Sequence, residues 1–232
     1  MPPQPSRPIS ATWPSEHLTL GAGVAIFHLA TSRVVLCYHT RDEYWFLPKG
    51  RKNADEDLAR AAEREGFEES GFRNRLLPLP VRHRQPVEDG DGGGEFVRES
   101  VWVQAEPVSR RSQYLLFWYV AETVPPEVER GYRGGGAGGY RPPEPFPREG
   151  TLKGRIEEDV VVGRGGEKVI YEPVRHEGTG VDEEEALYTS RLMSVEEACG
   201  RLRGSIMEDV VRRGWDGIQE RLRIEAARAR LE

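Results

Sequence analysis

The chain has 232 residues and a formal net charge of −6, with 37% hydrophobic and 31% charged residues. An acidic chain does not attract nucleic acid through its overall field, so we expect no nucleic-acid partner. Two cysteines without a CxxC pair, and five histidines without zinc-ligand spacing, exclude a structural zinc site and a disulfide framework.

The beginning of the chain differs in composition from the rest. Residues 1–18 are rich in proline and polar residues and predict a flexible arm, followed by one domain over residues 19–232. No apolar stretch follows a basic start, and no run reaches the roughly 20 apolar residues of a membrane helix. We therefore expect a soluble protein without a membrane partner, placed in the cytoplasm, with the nucleus as the alternative.

Runs of β-branched and aromatic residues predict the strands of an α/β fold. They occur at residues 20–30, 33–39, 44–47, 76–81, 96–103, 113–121 and 187–193. The first two runs are separated by only two residues, which is typical of a β-hairpin. The run 113–121 is the most hydrophobic of the chain, and we expect it to be a central strand.

Capping-box spacing, a polar residue three positions ahead of a glutamate, predicts where helices begin. Asn53 stands in this relation to a glutamate and predicts a helix over residues 54–70, which Gly71 can end in a left-handed conformation. Near the end of the chain, Gly214 and Gly217 are expected to break the last helical stretch. Two further helix starts are predicted by the pairs Ser194/Glu197 and Ser205/Glu208.

Glycine and proline, 26 and 17 residues in all, are concentrated in a segment at about residues 123–180. We interpret this segment as a long Gly/Pro-rich insertion that is partly disordered. Short β-like runs at residues 159–162 and 168–171 predict a small hairpin within it. Removal of residues 125–147 is expected to leave folding intact.

Three glutamates of the predicted helix, Glu65, Glu68 and Glu69, stand at i, i+3 and i+4, which places them on one helical face. Like charges at these spacings destabilise an isolated helix by about 0.2–0.5 kcal/mol per pair. A hard divalent cation explains the pattern, because carboxylate oxygens are the ligands that magnesium and calcium prefer. Arg64 can pair with Glu68, and the carbonyl of Gly50 is a further oxygen ligand.

Residues 50–72, GRKNADEDLARAAEREGFEESGF, resemble the Nudix box G-x5-E-x7-R-E-U-x-E-E-x-G-U, in which U is a bulky apolar residue. The matching residues are Gly50, Glu56, Arg64, Glu65, Glu68, Glu69, Gly71 and Phe72. Gly66 departs from the pattern at the first U position. A mid-helix glycine costs about 1 kcal/mol relative to alanine, so we expect a looser helix, with Phe67 refilling part of the space.

The resemblance implies an α/β/α sandwich around a mixed β-sheet and hydrolysis of a phosphoanhydride by attack of water on phosphorus. The ligands it implies for the catalytic cations, Mg²⁺ or Mn²⁺, are Glu65, Glu68, Glu69 and the carbonyl of Gly50. Arg64 would orient the glutamates, and Glu56 would mainly support the loop. The general base would be Glu68 or one of Glu183, Glu184 and Glu185, among which the sequence does not choose.

Basic residues surround this motif. Those expected to bind substrate phosphates are Lys49, Arg51, Lys52 and Arg41. A second group either adds to this field or balances surface acids, namely Arg73, Arg75, Arg82 and Arg84. The run LPKGRK, residues 47–52, resembles the branch of diadenosine polyphosphate hydrolases and diphosphoinositol polyphosphate phosphohydrolases. We favour a diphosphoinositol polyphosphate or inorganic polyphosphate, by a narrow margin, over a dinucleoside polyphosphate.

The alternative function is a Nudix-fold binding module with weak catalysis, for a nucleotide-like ligand or a protein partner. Gly66 and the run GYRGGGAGGY, residues 131–140, favour it, whereas the complete arginine and glutamate set of the motif favours an enzyme. Aromatic residues of the strands belong either to the core or to a surface that stacks on adenine. They are Tyr44, Trp45, Trp102 and Trp118. The sequence does not determine the oligomeric state.

Overall fold

The computed structural model describes residues 5–86, 95–132, 140–163 and 165–231. The strands in these ranges are β1 (Leu18–His28), β2 (Arg33–His39), β3 (Tyr44–Phe46), β4 (Lys49–Arg51), β5 (Asn74–Leu76), β6 (Trp102–Pro107), β7 (Gln113–Thr123), β8 (Val160–Val162), β9 (Lys168–Ile170) and β10 (Tyr188–Ser194). The helices are α1 (Leu58–Ser70), α2 (Pro126–Arg130), α3 (Leu152–Glu158), α4 (Val195–Arg201) and α5 (Ile206–Arg228). Among the described residues, no helix combines the length and the apolarity that crossing a bilayer requires.

Most of these strands form one eight-stranded mixed sheet, ordered β10-β2-β1-β7-β5, in which β3 pairs with β2, β4 with β1 and β6 with β7. β1 and β7 run parallel from Leu18 opposite Gln113 to Phe27 opposite Glu122. β1 and β2 are antiparallel and form the predicted hairpin. The mixed sheet and the central position of β7 are confirmed.

The two faces of the sheet carry separate cores, because alternate residues of a strand point to opposite sides. On one face, Ala22, Val24 and Ile26 of β1 pack near Ala61 and Ala62 of α1. The core on the other face includes Phe27, Leu36, Trp118, Val120, Val210, Val211 and Ile218. The sheet therefore lies between α1 and α5, which is the α/β/α sandwich that the resemblance implied.

Helix α1 begins at Leu58, four residues later than predicted. The carboxylate of Glu56 does accept a hydrogen bond from the backbone N–H of Asn53 at 2.8 Å, as in a capping box. The same carboxylate, however, is bound through both oxygens by Arg64, at 2.8 and 2.9 Å. This pairing holds the segment as a turn rather than as a first helical turn. The predicted end is confirmed, since Gly71 has a φ of 75°.

Helix α5 is continuous, so the prediction that Gly214 and Gly217 break it is wrong. A Cβ at position 214 would lie 2.9 Å from the Phe27 ring and 3.1 Å from Val120. The glycine therefore lets the helix approach the sheet closely. The apolar burial gained by this approach offsets the propensity cost of glycine, about 1 kcal/mol.

The strands that follow α1 are shorter or shifted relative to prediction. β5 ends at Leu76, and beyond it the predicted strand makes a single bridge, between Leu79 and Val97. Pro78 and Pro80 explain this, because proline has no N–H to donate to a strand ladder. The predicted strand 96–103 is replaced by β6, which starts at Trp102.

The segment at residues 123–180 contains α2, α3 and the predicted hairpin of β8 and β9, which is confirmed. The glycine-rich run 133–139 lies outside the described residues. Phe146 and Leu152 are buried in the core on the α5 face. Removal of residues 125–147 would withdraw Phe146 from this core, so we expect destabilisation, contrary to the prediction from composition.

Buried ions tie the same segment to the sheet. Arg155 of α3 lies 2.7 Å from Glu122 of β7 and 2.9 Å from Asp159. Arg75 of β5 binds the second oxygen of Glu122 at 2.7 Å, and His28 lies 3.3 Å from Asp159. All five side chains are almost completely buried. In this ionic network, Glu122 and Asp159 each face a cationic partner.

Candidate active site

Two glutamates of α1, Glu65 and Glu69, are buried against the short strand β4. Glu69 Oε2 accepts a hydrogen bond from the backbone N–H of Lys49 at 2.7 Å. The carboxylate of Glu65 fills the place where a Cβ of Gly50 would stand, 2.1 to 2.4 Å from it. A residue with a side chain at position 50 would therefore displace the carboxylate, which explains why the motif needs glycine there.

Arg64 is saturated by partners on both sides of the site. Its guanidinium binds the carboxylate of Glu56 at 2.8 and 2.9 Å and the carbonyl oxygen of Arg51 at 3.0 Å. It also donates to Glu65 Oε1 at 2.8 Å and to Glu68 Oε2 at 2.7 Å. These five bonds use all five N–H groups of an arginine and fix the directions in which two of the motif carboxylates point.

A third carboxylate enters the site from a distant loop. Oxygen atoms of Glu65, Glu69 and Glu185 all lie within 4.8 Å of one another. Glu185 is held by one oxygen, which accepts the backbone N–H of Val181 at 2.6 Å. The sequence had identified Glu185 as a candidate base but not as a neighbour of the first two glutamates. Glu68 is turned toward Arg64 and is not a member of this group.

The loop that carries Glu185 is fastened to the second half of α1. The hydroxyl of Thr179 donates to the carbonyl oxygen of Glu68 at 2.8 Å. The backbone N–H of His176 donates to the carbonyl oxygen of Gly71, also at 2.8 Å. A Cβ at Gly71 would lie 2.2 Å from the His176 carbonyl oxygen. The C-terminal glycine of the motif thus serves both the helix end and the attachment of this loop.

Burial raises the pKa values of all three facing carboxylates, and neighbouring carboxylates add to the shifts. Burial raises the pKa of Glu65 to about 7, and Glu68 and Glu185 add to the shift while Arg64 opposes it. Burial raises the pKa of Glu69 to about 8, with Glu65 and Glu185 adding to it and Lys49 opposing it. The pKa of Glu185 is also raised, chiefly by burial. Buried carboxylates disfavour their charged form unless a cation neutralises them.

These groups fit a hard divalent cation. The cluster offers only oxygen donors, and the Glu65 carboxylate occupies the place of a Cβ of Gly50. Gly50 lies opposite Ala22 and contributes its carbonyl to the pairing of β4 with β1. That carbonyl accepts a hydrogen bond from the hydroxyl of Tyr114 at 3.0 Å. Burial, then Glu65 and Glu69, raise the pKa of Tyr114 to about 12, so its hydroxyl is a neutral donor at physiological pH.

The carboxylates open into a cleft of about 830 Å³. Three of the four basic residues predicted to bind substrate line it, namely Lys49, Arg51 and Lys52. Among the described residues, none of these three has a carboxylate within ion-pair distance. Further residues of the wall are Leu18, Thr19, Leu20, Asn53, Ala54, Tyr114, Val181, Asp182, Glu184 and Tyr188.

The fourth predicted substrate ligand, Arg41, does not line the cleft. Its guanidinium lies 2.9 Å from Glu184 and 3.2 Å from Asp42. Glu184 also accepts from His39 Nε2 at 2.8 Å, because His39 Nδ1 is occupied by the backbone N–H of Asp42 at 3.0 Å. Arg41 and His39 therefore hold Glu184 in the wall. Glu183, another candidate base, is exposed and lies outside the cleft lining.

The other aromatic and basic candidates lie away from the cleft. Trp118 is completely buried and donates to Gln104 at 3.2 Å, so it belongs to the core. Arg75 belongs to the buried ionic network, and Arg73 is packed between two rings, 4.5 Å from Phe67 and 4.1 Å from Tyr132. These positions serve packing. The remaining candidates outside the cleft lining are Tyr44, Trp45, Trp102, Arg82 and Arg84.

The space beside Gly66, the residue that departs from the motif, is occupied by side chains of the neighbouring strands β1 and β5. A Cβ there would lie 2.6 Å from Asn74 Nδ2 and 2.9 Å from Val24. The Asn74 amide donates to the carbonyl oxygen of Glu63 at 3.0 Å, so it packs against the helix backbone. Phe67, which was predicted to refill part of this space, is buried with its ring 4.5 Å from the Arg73 guanidinium. Helix α1 remains continuous through this position.

Residues 18–133 match the sequence model of the NUDIX domain family. Among solved structures, the chain is similar to a NUDIX hydrolase from Nitrosomonas europaea, at 11% identity over 84% of this chain and 86% of that chain, with a TM-score of 0.41. It is also similar to a hydrolase of the NUDIX family from Clostridium perfringens, at 14% identity over 86% and 95%, with a TM-score of 0.40. The sequence match to this family covers half of the chain.

Proposed function

Because this chain belongs to the NUDIX domain family and is a Nudix pyrophosphohydrolase, we propose that it hydrolyses a phosphoanhydride bond in the linear phosphate chain of a nucleotide-like substrate, using Mg²⁺ or Mn²⁺. The observation that carries the proposal is the group of facing carboxylates of Glu65, Glu69 and Glu185 at the floor of a cleft. This group is bordered by basic side chains of β4 that have no carboxylate partner among the described residues.

We assign the cations to the carboxylates of Glu65 and Glu69, whose oxygen atoms lie within 4.8 Å of one another, and, from the resemblance to the motif, to the carbonyl of Gly50. Bound there, divalent cations would polarise the phosphate chain and neutralise charge that develops on the leaving phosphate. Glu68 lines the same cleft, with one carboxylate oxygen on Arg64 and the other without a hydrogen-bond partner in the described part of the chain. It stays a candidate ligand for a second cation, in a position that Arg64 fixes.

We assign the general base to Glu185. It faces Glu65 and Glu69 across the cleft floor, and only one of its oxygens is used by a backbone N–H. The second oxygen has no hydrogen-bond partner among the residues that the structure describes and can accept a proton from the attacking water. The alternatives are less suited: Glu184 is occupied by His39 and Arg41, and Glu183 lies outside the cleft lining.

The charge of the cleft favours a linear polyphosphate over a densely phosphorylated ring. Six carboxylates line it, from Glu65, Glu68, Glu69, Asp182, Glu184 and Glu185. Against them stand four basic residues, Lys49, Arg51, Lys52 and Arg64. Two bound divalent cations would change the net charge of the cleft from slightly negative to slightly positive. A slightly positive cleft complements the negative charge of a di- or triphosphate bridge.

Two details support a nucleotide-like group at one end of the substrate. Tyr188 lines the cleft with its ring braced edge-on by Phe46 at 4.9 Å, so it is a rigid aromatic wall. Leu18 and Leu20 add apolar surface on the β1 side. Such a surface accepts a base or ribose, whereas an inositol polyphosphate offers no apolar face. Diphosphoinositol polyphosphates, which the sequence analysis favoured by a narrow margin, are the second candidate.

A substrate panel tests the proposal. The purified chain is assayed with Mg²⁺ on dinucleoside polyphosphates, nucleoside diphosphate sugars, diphosphoinositol phosphates, inorganic polyphosphate and capped RNA. We expect turnover of a substrate with a linear phosphate bridge between or beside nucleosides. Preference for a diphosphoinositol phosphate would overturn the substrate class, and no turnover of the whole panel would favour the binding module instead.

The base assignment has a sharper test in two neighbouring glutamates. Glu185→Gln should lower kcat by about 100-fold or more while leaving the Mn²⁺ dissociation constant within a few-fold, because it removes a proton acceptor and keeps the shape. Glu183→Gln, at the exposed neighbour, should leave kcat unchanged. A large loss of Mn²⁺ affinity in Glu185→Gln would make Glu185 a cation ligand rather than the base.

A further inference from the structure

We infer that two copies of this chain associate through the outer edge of strand β9, the edge that is turned away from β8. β8 and β9 form a two-stranded sheet apart from the main sheet, and in the part of the chain that the structure describes neither strand pairs with any other. A two-stranded hairpin by itself is only marginally stable in water, and the unpaired backbone groups of its edges can pair with a further strand. The inference concerns assembly and does not depend on the proposed function.

The hydrogen bonds within the hairpin show which backbone groups of β9 face outward. The backbone N–H of Tyr171 donates to the carbonyl oxygen of Asp159 at 2.7 Å. Because hydrogen-bonded pairs alternate with non-bonded pairs along an antiparallel ladder, the next pair, Ile170 opposite Val160, exchanges no backbone hydrogen bonds. The backbone N–H and carbonyl groups of Ile170, and by the same alternation those of Lys168, therefore point to the outer edge.

The sequence of this edge is complementary to itself. If a two-fold axis passes beside Ile170, this residue lies opposite its own copy, and Lys168 lies opposite Glu172 of the second copy. Opposite charges at facing positions stabilise strand pairing, and the symmetry forms this pair twice. Arg33 binds one carboxylate oxygen of Glu172, and the other oxygen has no hydrogen-bond partner among the described residues. The glutamate is therefore oriented and can still accept a bond from the lysine of the second copy.

The same pairing covers apolar side chains that a single chain exposes. Val160 and Ile170 lie opposite each other in the hairpin and are 39% and 45% exposed. Facing residues of an antiparallel ladder project to the same side, so the pairing would join these two residues and their copies in one apolar row across four strands. A four-stranded sheet with such a row is more stable than either hairpin alone. The contact is small, so we expect a weak dimer, which dissociates at micromolar or higher concentration.

A proline at the outer edge tests the inference. Ile170→Pro removes an outward N–H and leaves the ladder with β8 intact, because residue 170 donates no hydrogen bond to β8. Sedimentation equilibrium over a range of protein concentrations gives the dissociation constant of the dimer. We expect a concentration-dependent dimer of the unaltered chain and a dissociation constant at least about 10-fold higher for Ile170→Pro.

Val162→Pro is the matched control. Val162 is 73% exposed and lies opposite Lys168 in a non-bonded pair, so its N–H points to the outer edge of β8 instead. This variant should leave the dissociation constant within about 2-fold of the unaltered value. A chain that stays monomeric at every concentration would overturn the inference. So would a dimer that Ile170→Pro leaves intact, or one that both prolines weaken equally.

Charge reversal at two exposed positions tests the register without altering the backbone. Lys168→Glu and Glu172→Lys each place like charges opposite one another, twice in each dimer, so either variant alone should dimerise about 10-fold more weakly. An equimolar mixture of the two variants should recover the affinity of the unaltered chain, because both facing pairs of the mixed dimer again have opposite charges. A mixture that associates no better than the single variants would overturn the inference.

Discussion

Two groups of buried carboxylates in this protein are built in opposite ways. In the ionic network, Glu122 and Asp159 are completely buried, and Arg155 lies within 2.9 Å of each. In the cleft, Glu65 and Glu69 are nearly as buried, and the positive charge beside them, from Arg64 and Lys49, does not offset their burial, so the pKa of each stays raised. The first group is neutralised by the fold itself and holds a segment in place. The second is left for an external cation to neutralise, which is the mark of a functional site.

The largest expected effect comes from breaking the neutralised group. Arg155→Met should lower the free energy of unfolding by about 3–5 kcal/mol, because it leaves Glu122 and Asp159 buried without their shared partner. Urea denaturation at neutral pH measures the loss. Lys153→Met, an exposed position on the same helix, should change stability by less than about 0.5 kcal/mol. Equal stabilities for the two variants would contradict the role given to the network.

In the cleft, the corresponding change should affect activity rather than folding. Glu69→Gln should lower kcat/KM by more than about 100-fold, because it removes a carboxylate ligand of the cation. Loss of a residue that only orients such a ligand already costs about 10- to 100-fold. Without metal, the same variant should be at least as stable as the unaltered protein, because it removes a buried charge. Steady-state kinetics and thermal unfolding in a chelator measure the two effects. A destabilised, active Glu69→Gln would reverse the distinction between the two groups.

The pH dependence of stability should differ with and without metal. In the folded, metal-free protein the pKa of Glu65 is raised to about 7 and that of Glu69 to about 8, from an ordinary value of 4.5. The folded state then binds more protons than the unfolded state between these values, so stability falls as the pH rises from about 4.5 to about 8. Mg²⁺ should remove this fall, and Glu69→Gln should reduce it. Unfolding in urea across this pH range, with chelator or Mg²⁺, tests the sign.

The smallest effect concerns the helix beneath the cleft carboxylates. Gly66→Ala should destabilise by about 1–3 kcal/mol, because the new Cβ would overlap Asn74, and this exceeds the gain of about 1 kcal/mol in helix propensity. Gly200→Ala is the control, since nothing lies within 4 Å of a Cβ in α4, and it should stabilise by about 0.5–1 kcal/mol. Stabilisation by both alanines would show that Asn74 can move away from α1.

Much of the fold could be predicted from local patterns. The hairpin of β1 and β2, the central β7 and the end of α1 at Gly71 were all predicted, because alternation and glycine conformation act over a few residues. The start of α1 was not, since Glu56, although it accepts the Asn53 N–H, is bound through both oxygens by Arg64, eight residues away. The continuity of α5 through Gly214 was not predicted either, because it depends on packing against Phe27 of β1.

The sequence by itself determined the motif and the side of helix α1 on which its glutamates lie. The i, i+3 and i+4 spacing of Glu65, Glu68 and Glu69 fixes their common side once the helix forms, because a helix repeats every 3.6 residues. The tertiary structure decided which carboxylates meet. The pair of Arg64 with Glu68 follows from their i, i+4 spacing, whereas the tertiary structure brought in Glu185, 116 residues beyond Glu69. Spacing along the chain cannot express this arrangement, since it depends on the register of the sheet and on where the loop before β10 is attached.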